Sequence, residues 1–226
     1  MRKIDEDLGV AEQPLRFGLL ELGTRMTVIK LRDSSLVLHS PITLTPPLRS
    51  ELDEIGPVRA VVAPNRMHHL FVSDYTAAYP DCRLYAAPGV REKRTDLTVH
   101  GVLPEDAPTS WAEQLECVFF GGIPLVNETV CLHKPSRTLL LCDLAFNVGP
   151  EAPWPTRAAF RLWGRYNSFG PTPLERLMLR DRKAARNSLE QILALDFDRV
   201  IVTHGEILET GGVAALSRGY EWLLRD

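Results

Sequence analysis

Three short apolar segments of the sequence are followed closely by side chains that could bind a metal ion. Polar groups at the carboxyl end of a strand, before a helix, occupy the usual position of the functional site in α/β sheets. Three imidazoles and one carboxylate form a ligand set suited to zinc or ferrous iron. The candidate ligands are His68 and His69 after residues 59–63, Asp143 after residues 138–142, and His204 after residues 199–203.

Each of these residues also has a simpler structural role, which the sequence alone leaves open. A histidine after a strand is commonly hydrogen-bonded or solvated, and an aspartate there commonly caps a helix or forms an Asx turn. The metal-site interpretation therefore depends on the shared position of the four residues. In that interpretation Asp143 either binds the metal or accepts the proton of the attacking water, and Asn65 or Arg66 orients the substrate.

The elements that must position these residues alternate between short strands and amphipathic stretches. Strands are predicted at residues 26–31, 35–39, 58–63, 83–86, 115–120, 128–132, 137–142 and 199–203. Helices are predicted at residues 46–54, 72–79, 155–166, 172–195 and 211–224. Strands in pairs, followed by strand–helix alternations, predict an α/β architecture with mixed sheets and helices outside.

The composition is typical of a globular protein of ordinary size. Apolar residues make up 45% of the 226 positions, which is enough to bury a substantial core, and the length predicts one domain over residues 1–226. The net charge of −3 does not favour nucleic acid or a membrane as a partner. We find neither a secretory signal nor an apolar stretch of transmembrane length, so a cytoplasmic location is expected.

The four cysteines lie far apart and form no Cys-x-x-Cys pair. In a chain of this length, that spacing argues against a structural zinc knuckle and against a disulfide scaffold. We therefore expect all four to be buried free thiols, which behave as small apolar side chains. They are Cys82, Cys117, Cys131 and Cys142.

One segment differs from the rest of the chain in charge. Residues 150–186 contain eight basic and three acidic residues, a net charge of +5, which leaves −8 for the remainder. Arg157, Arg161 and Arg165 are spaced four residues apart and share one stripe of a helix, while aromatic residues line the other side. The pattern predicts a basic helical insertion that docks on the body of the protein, covers a pocket, or is a solvated face.

The order of these features resembles the metallo-β-lactamase-like hydrolase superfamily, the glyoxalase II type in particular. That family has a hairpin start, an H-x-H-x-D-H loop after a strand, a later Gly-His turn, an Asp closing a hairpin strand and a final His-Gly. The loop here is Val61-Val-Ala-Pro-Asn-Arg-Met-His-His69. The resemblance extends roughly from Gly23 to His204. It implies an αββα sandwich of two mixed sheets with outer helices, in a domain-of-unknown-function branch.

The sequence departs from the family pattern at the first of its two metal sites. Pro64 and Arg66 stand where the first two histidines would be, Ile123 stands in place of the third, and His39 stands where the family usually has an aspartate. The resemblance therefore implies a mononuclear site. Its ligands map onto the second site of the family, with His68 in the place of an aspartate: His68, His69, Asp143 and His204.

The resemblance implies a metal-dependent hydrolase that uses one divalent metal, zinc or iron, to activate water against a small-molecule ester, thioester or phosphodiester. Arg66 could hold a substrate carboxylate or phosphate, because a guanidinium binds such anions bidentately; alternatively it faces solvent or pairs with Asp74. Three rival functions stay open: a metal-free binding protein that uses residues 150–186, redox chemistry at iron, and, ranked last, nucleic-acid binding. The oligomeric state also stays open.

Overall fold

A computed structural model describes residues 1–225 of the chain. Its strands are β1 (Arg2–Asp5), β2 (Leu8–Gln13), β3 (Arg16–Phe17), β4 (Leu20–Glu21), β5 (Thr24–Lys30), β6 (Leu36–His39), β7 (Val58–Ala63), β8 (Arg83–Ala86), β9 (Gly101–Val102), β10 (Leu115–Phe120), β11 (Glu128–His133), β12 (Thr138–Leu141) and β13 (Arg199–Val202). Its helices are α1 (Pro46–Ile55), α2 (Val72–Ala78), α3 (Val90–Lys93), α4 (Trp154–Leu162), α5 (Pro173–Met178), α6 (Arg182–Leu193), α7 (Gly212–Gly219) and α8 (Glu221–Leu224), with a short 3-10 helix at Thr109–Trp111.

The strands form two large mixed sheets and one small hairpin. The larger sheet has the order β1-β2-β5-β6-β7-β8-β9, with antiparallel pairing up to β6 and parallel pairing from β6 to β9. The smaller sheet has the order β10-β11-β12-β13, in which only β12 and β13 are parallel. The hairpin of β3 and β4 was not predicted, and neither were β1, β2 and β9.

Alternate residues of single strands face two different apolar cores. On β7, Val61 and Ala63 pack among residues of α1, α2 and α3, whereas Ala60 and Val62 face the second sheet. On β12, Leu139 and Leu141 pack against α6 and α8, and Leu140 faces the first sheet. Because side chains of a strand alternate between its two faces, this division places the two sheets between two layers of helices. The predicted αββα sandwich is confirmed.

Strand direction brings the candidate site to one edge of each sheet. The carboxyl ends of parallel neighbours lie side by side, so β6 and β7 end together in one sheet, and β12 and β13 end together in the other. Because β5 is antiparallel to β6, the start of β5 lies at the same edge. The loops after these strands and the residues before β5 therefore lie close together.

The single helix predicted over residues 172–195 is wrong; two helices lie there. Thr172 caps α5 through a capping box, in which its hydroxyl accepts the N–H of Leu174 and its own N–H donates to Glu175. Asp181 caps α6 by accepting the N–H of Ala184 at 2.9 Å. Two N-caps nine residues apart start two helices. The helix predicted at 211–224 is likewise divided into α7 and α8.

The basic segment, residues 150–186, contacts the rest of the protein through α4. Phe160 is 1% exposed and packs with Phe146 and Val148. The Thr156 hydroxyl accepts the N–H of Glu21 at 3.1 Å and donates to its carbonyl at 2.9 Å, which joins α4 to β4. One side of the segment is therefore docked on the body. That the segment is an insertion in a single domain over 1–226 stays a prediction.

Two of the four cysteines form a disulfide, which corrects the expectation of four free thiols. Cys117 on β10 and Cys131 on β11 face each other in the antiparallel register, with Cα atoms 4.1 Å apart. This is the short spacing of a non-hydrogen-bonded cross-strand pair. Cys82 and Cys142 are buried free thiols, as expected. The sequence could not reveal the pair, because the register that joins residues 14 apart depends on the turn between the strands.

Within residues 1–225, the helices are all too short or too polar to cross a lipid bilayer.

We expect protein purified without reductant to expose two thiols to iodoacetamide in denaturant, and four after reduction, since only Cys82 and Cys142 are free. Mass spectrometry of the alkylated chain counts them. A Cys117→Ser variant is the control and should expose three without reduction. Four alkylated thiols in unreduced wild-type protein would contradict the disulfide.

Candidate metal centre

Three of the predicted ligands meet where the two sheets end. His68 lies in the loop after β7, Asp143 follows β12, and His204 follows β13. One ligand atom from each lies within 4.8 Å of the other two. Their side chains are 9%, 14% and 6% exposed, respectively. The site is therefore largely shielded from water and is assembled by residues far apart in the sequence.

The distances between these atoms suit a single divalent cation. His68 Nε2 and His204 Nε2 each lie 3.4 Å from Asp143 Oδ1. Two ligands bound at about 2.0–2.1 Å to a tetrahedral zinc ion are about 3.3 Å apart. Two imidazoles and one carboxylate are also a donor set that both zinc and ferrous iron accept. The residues present fit a mononuclear centre.

The second ring nitrogen of each histidine has a partner of its own. His68 Nδ1 lies 2.9 Å from the hydroxyl of Ser40, just after β6, and His204 Nδ1 donates to the carbonyl of Gly23 at 2.7 Å. A carbonyl can only accept, so Nδ1 of His204 carries the proton and Nε2 of the neutral ring keeps its lone pair. Such outer partners fix the tautomer and orientation of metal-binding histidines.

Asn65 connects the loop of His68 to the carboxylate. Its side-chain Nδ2 donates to Asp143 Oδ2 at 2.8 Å and to Glu128 Oε2 at 3.0 Å, and its Oδ1 accepts the N–H groups of Met67 and His68. The residue is 0% exposed. Both amide hydrogens of Asn65 are used inside the protein. Asn65 therefore holds Asp143 through Oδ2 of the carboxylate, and Oδ1 of the carboxylate faces the histidines.

Glu128, the first residue of β11, is the functional residue that the sequence analysis missed. It is 1% exposed and accepts the backbone N–H groups of Cys142 and Asp143, both at 2.7 Å. Its burial, together with the charge of Asp143, raises its pKa to about 8. A carboxylate that opens an otherwise apolar strand, immediately after Asn127, is the sequence signal that could have pointed to it.

The pKa of Asp143 is shifted in the opposite direction to that of Glu128. Burial raises its pKa, but the charges and hydrogen bonds of His68 and His204 outweigh burial and hold the pKa of this carboxyl well below its usual range. The surroundings of the two neighbouring carboxyls therefore shift their pKa values in opposite directions, and the ionised oxygen of Asp143 faces the histidines. Neighbouring carboxyls with separated pKa values are typical of sites that bind or transfer charge.

The fourth predicted ligand, His69, lies outside the cluster. Its Nδ1 lies 3.0 Å from Nη1 of Arg94, a guanidinium that also pairs with Asp96. Burial, with the charges of Lys93 and Arg94, lowers the pKa of His69. Adjacent histidines leave the loop in different directions, so only His68 reaches Asp143. The structure therefore brings three of the four predicted ligands within ligand distance of one another, and His69 is not among them.

The positions at which the resemblance placed the first metal site supply no ligand. Arg66 donates from Nη1 to the carbonyl of Pro124 at 2.8 Å, and its side chain lies against Gly89. Within residues 1–225 it forms no ion pair with Asp74. Ile123 is 2% exposed and belongs to an apolar core. Among residues 1–225, His68, Asp143 and His204 are the one group of His, Cys, Asp or Glu side chains that could hold a metal ion.

A cleft of about 590 Å³ opens beside the turn that carries His204. Gly23, Thr203 and Gly205 line it, and neither His68 nor Asp143 does. Most of its charged lining is acidic, from Glu12, Glu21, Glu151, Glu206 and Glu209. The candidate metal centre is therefore defined by the ligand cluster and not by this cleft, because the cleft does not reach His68 and Asp143.

Residues 8–159 match the model of a family described as "Domain of unknown function (DUF4336)". The chain belongs to this family. His68 and Asp143 lie within the matched residues of this DUF4336 chain, and His204 lies beyond them. No curated protein matches the sequence.

Three solved structures share the fold of this DUF4336 chain. A metallo-β-lactamase from Pontibacter korlensis has a TM-score of 0.67 at 14% identity, over 99% of this chain and 98% of its own. One from Hirschia baltica has 0.64 at 13%, over 99% and 96%. FIM-1 from Pseudomonas aeruginosa, in its mono-zinc form, has 0.63 at 12%, over 99% and 92%. The chain has the metallo-β-lactamase fold that the resemblance implied.

We expect Asn65→Ala to lower the free energy of unfolding by about 3 kcal/mol, because hydrogen bonds to two buried carboxyl groups are lost together. Urea unfolding in the presence of chelator measures the change without a contribution from metal. Asn187→Ala, at an exposed position of α6, is the control and should change stability by less than about 0.5 kcal/mol. Equal stabilities of the two variants would contradict the role assigned to Asn65.

Proposed function

We propose that this DUF4336 chain is a metal-dependent hydrolase with one divalent cation, zinc or iron, held by His68, Asp143 and His204. The observation that carries the proposal is the pair of 3.4 Å separations between the two Nε2 atoms and Asp143 Oδ1. The neighbour from Pseudomonas aeruginosa is described in a mono-zinc form, which supports a single cation in this fold. The substrate class is an ester, a thioester or a phosphodiester.

The residues of the site divide the work among themselves. A divalent cation bound there lowers the pKa of water to near 7 and polarises the carbonyl or phosphoryl oxygen of a substrate. His68 and His204 offer Nε2 lone pairs, and Asp143 offers an ionised oxygen. Asn65 keeps that carboxylate from rotating. The low exposure of all three ligands excludes bulk water.

Substrate orientation is assigned to Arg66 in this proposal, since Asn65 uses both amide hydrogens internally. Arg66 is half-buried, and Nη1 donates to Pro124. Its guanidinium retains donors for a carboxylate or phosphate on the substrate.

We expect purified wild-type protein to contain about one equivalent of zinc or iron per chain by elemental mass spectrometry. His68→Ala and His204→Ala should abolish it, while His69→Ala and the exposed control His100→Ala should retain it. Chelator should lower the melting temperature of the wild type and leave those of His68→Ala and His204→Ala unchanged. The reason is that a bound metal stabilises the folded state by about 2.7 kcal/mol when the free metal concentration is 100 times Kd.

The same variants test hydrolysis. Wild-type protein should cleave at least one of p-nitrophenyl acetate, acetylthiocholine and bis(p-nitrophenyl) phosphate, and His68→Ala and His204→Ala should lose at least 100-fold in kcat/KM. Iron with no hydrolysis would favour the redox alternative. No metal after reconstitution would overturn the proposal.

A metal-free anion-binding protein is the second candidate, and one observation favours it. Within residues 1–225, the arginine and lysine side chains of residues 157–183 form no ion pair with a carboxylate, although arginines elsewhere in the chain commonly do. Several stack on aromatic rings instead, such as Arg161 on Tyr166 and Arg176 on Trp222. Unpaired guanidinium groups leave donors for an anionic partner. Protein that holds no metal after reconstitution would favour anion binding by the basic side chains of residues 157–183 as the function.

A further inference from the structure

Arg25 is a buried arginine that donates two hydrogen bonds to the turn that carries His204. It is the second residue of β5, and its side chain is 8% exposed. Nη1 donates to the carbonyl of Val202, and Nη2 donates to the carbonyl of Gly205 at 2.7 Å. These two carbonyls bracket Thr203 and His204. One planar guanidinium therefore holds both ends of the turn.

The third donor of Arg25 is held by a carboxylate on the neighbouring strand. Nε donates to Glu12 Oε1 at 2.7 Å, and Glu12 lies directly opposite Arg25 in the register of β2 and β5. A buried guanidinium needs such a partner, since an unpaired buried charge is costly. All three parts of the fork are thus engaged, and the fork is fixed in one orientation.

The same short stretch of chain also holds the ring of His204. Gly23, two residues before Arg25, accepts the Nδ1 proton of His204 at 2.7 Å. The turn leaves no room for adjustment at Gly205, where φ is +99° and an added Cβ would lie 2.2 Å from the carbonyl oxygen of Asn147. The start of β5 in one sheet therefore sets both the backbone and the tautomer of a ligand that belongs to the other sheet.

We infer that Arg25 is a positioning residue for the metal centre: by gripping the carbonyls of Val202 and Gly205, it keeps His204 Nδ1 on Gly23 and directs Nε2 toward Asp143. This inference rests on the proposed function, because it assigns Arg25 a role toward the same cation. The competing explanation is that Arg25 only fastens the two sheets together.

Arg199 provides a matched control for that explanation. It lies on β13, where it pairs with Asp5 of the other sheet at 3.2 Å and with Glu209 at 2.9 Å, at the opposite end of the strand from His204. Loss of either arginine removes a link between the sheets. Only loss of Arg25 removes the grip on the His204 turn.

The first measurement is made on metal-free protein. A long-range ¹H–¹⁵N spectrum of the histidine rings should show His204 as the Nδ1–H tautomer in wild type and in Arg199→Met. In Arg25→Met and Arg25→Lys that signature should be lost or averaged, because a lysine ammonium cannot hold two carbonyls in the geometry of the fork. His204→Ala assigns the signal. This readout does not depend on metal binding or on catalysis.

The second measurement is zinc affinity by competition with a chromophoric chelator. Arg25→Met and Arg25→Lys should bind zinc at least 10-fold more weakly than wild type, which is the usual effect of losing an outer partner of a ligand. Arg199→Met should bind as wild type does. Circular dichroism and thermal melts in chelator verify that each variant is folded; the lysine variant retains the charge in case the methionine variant does not fold.

The outcomes separate the inference from the function on which it rests. Wild-type protein that binds no zinc in this titration and holds no metal after reconstitution overturns the proposed function and the role toward the cation, while the tautomer measurement still decides whether Arg25 orients His204. The inference alone would be overturned if the Arg25 variants kept the zinc affinity and the His204 tautomer of wild type while their melting temperatures fell as in Arg199→Met. Arg25 would then only link the two sheets.

Discussion

A buried, ionised carboxylate is the constraint on which the rest of this structure depends. Asp143 is 14% exposed, and the pKa of its carboxyl lies below the usual range although burial opposes that. That charge lies between the amide of Asn65, which donates to one carboxylate oxygen, and two imidazole rings, which face the other. Without those groups the site would have to admit water or a proton, since an isolated buried charge is strongly unfavourable.

The groups that surround Asp143 come from both sheets. The donors to Asp143 come from the loop after β7, which belongs to the larger sheet, and from the end of β13, which belongs to the smaller one. The apolar core between the sheets fixes their distance, and the parallel pairs β6–β7 and β12–β13 bring the carboxyl ends together. The site is thus a consequence of sheet packing. Phe146 extends this support, because it stacks on His204 and contacts Phe160 of α4.

Much of the fold could be predicted from the sequence, since local pattern decides it. The strands at β7, β8 and β10 were predicted with their observed bounds, because short runs of β-branched and apolar residues end at Pro, Gly or charged residues. The break between α5 and α6 was missed, although Thr172 and Asp181 are both strong N-caps. There, apolar periodicity across the junction outweighed the capping signal in the prediction. Of the N-terminal strands that were missed, β1 has only four residues, and the sequence of β2, Leu-Gly-Val-Ala-Glu-Gln, carries a weaker strand pattern.

By itself the sequence determined which residues are available: His68, Asp143 and His204, each following an apolar strand, and the absence of histidines at Pro64, Arg66 and Ile123. Only the tertiary structure decided how they are used. It sent His69 to Arg94, placed Glu128 beneath Asp143, and paired Cys117 with Cys131. The physical reason is that the strand pattern is local, whereas the direction of a loop side chain and the register between strands depend on contacts with residues tens of positions away.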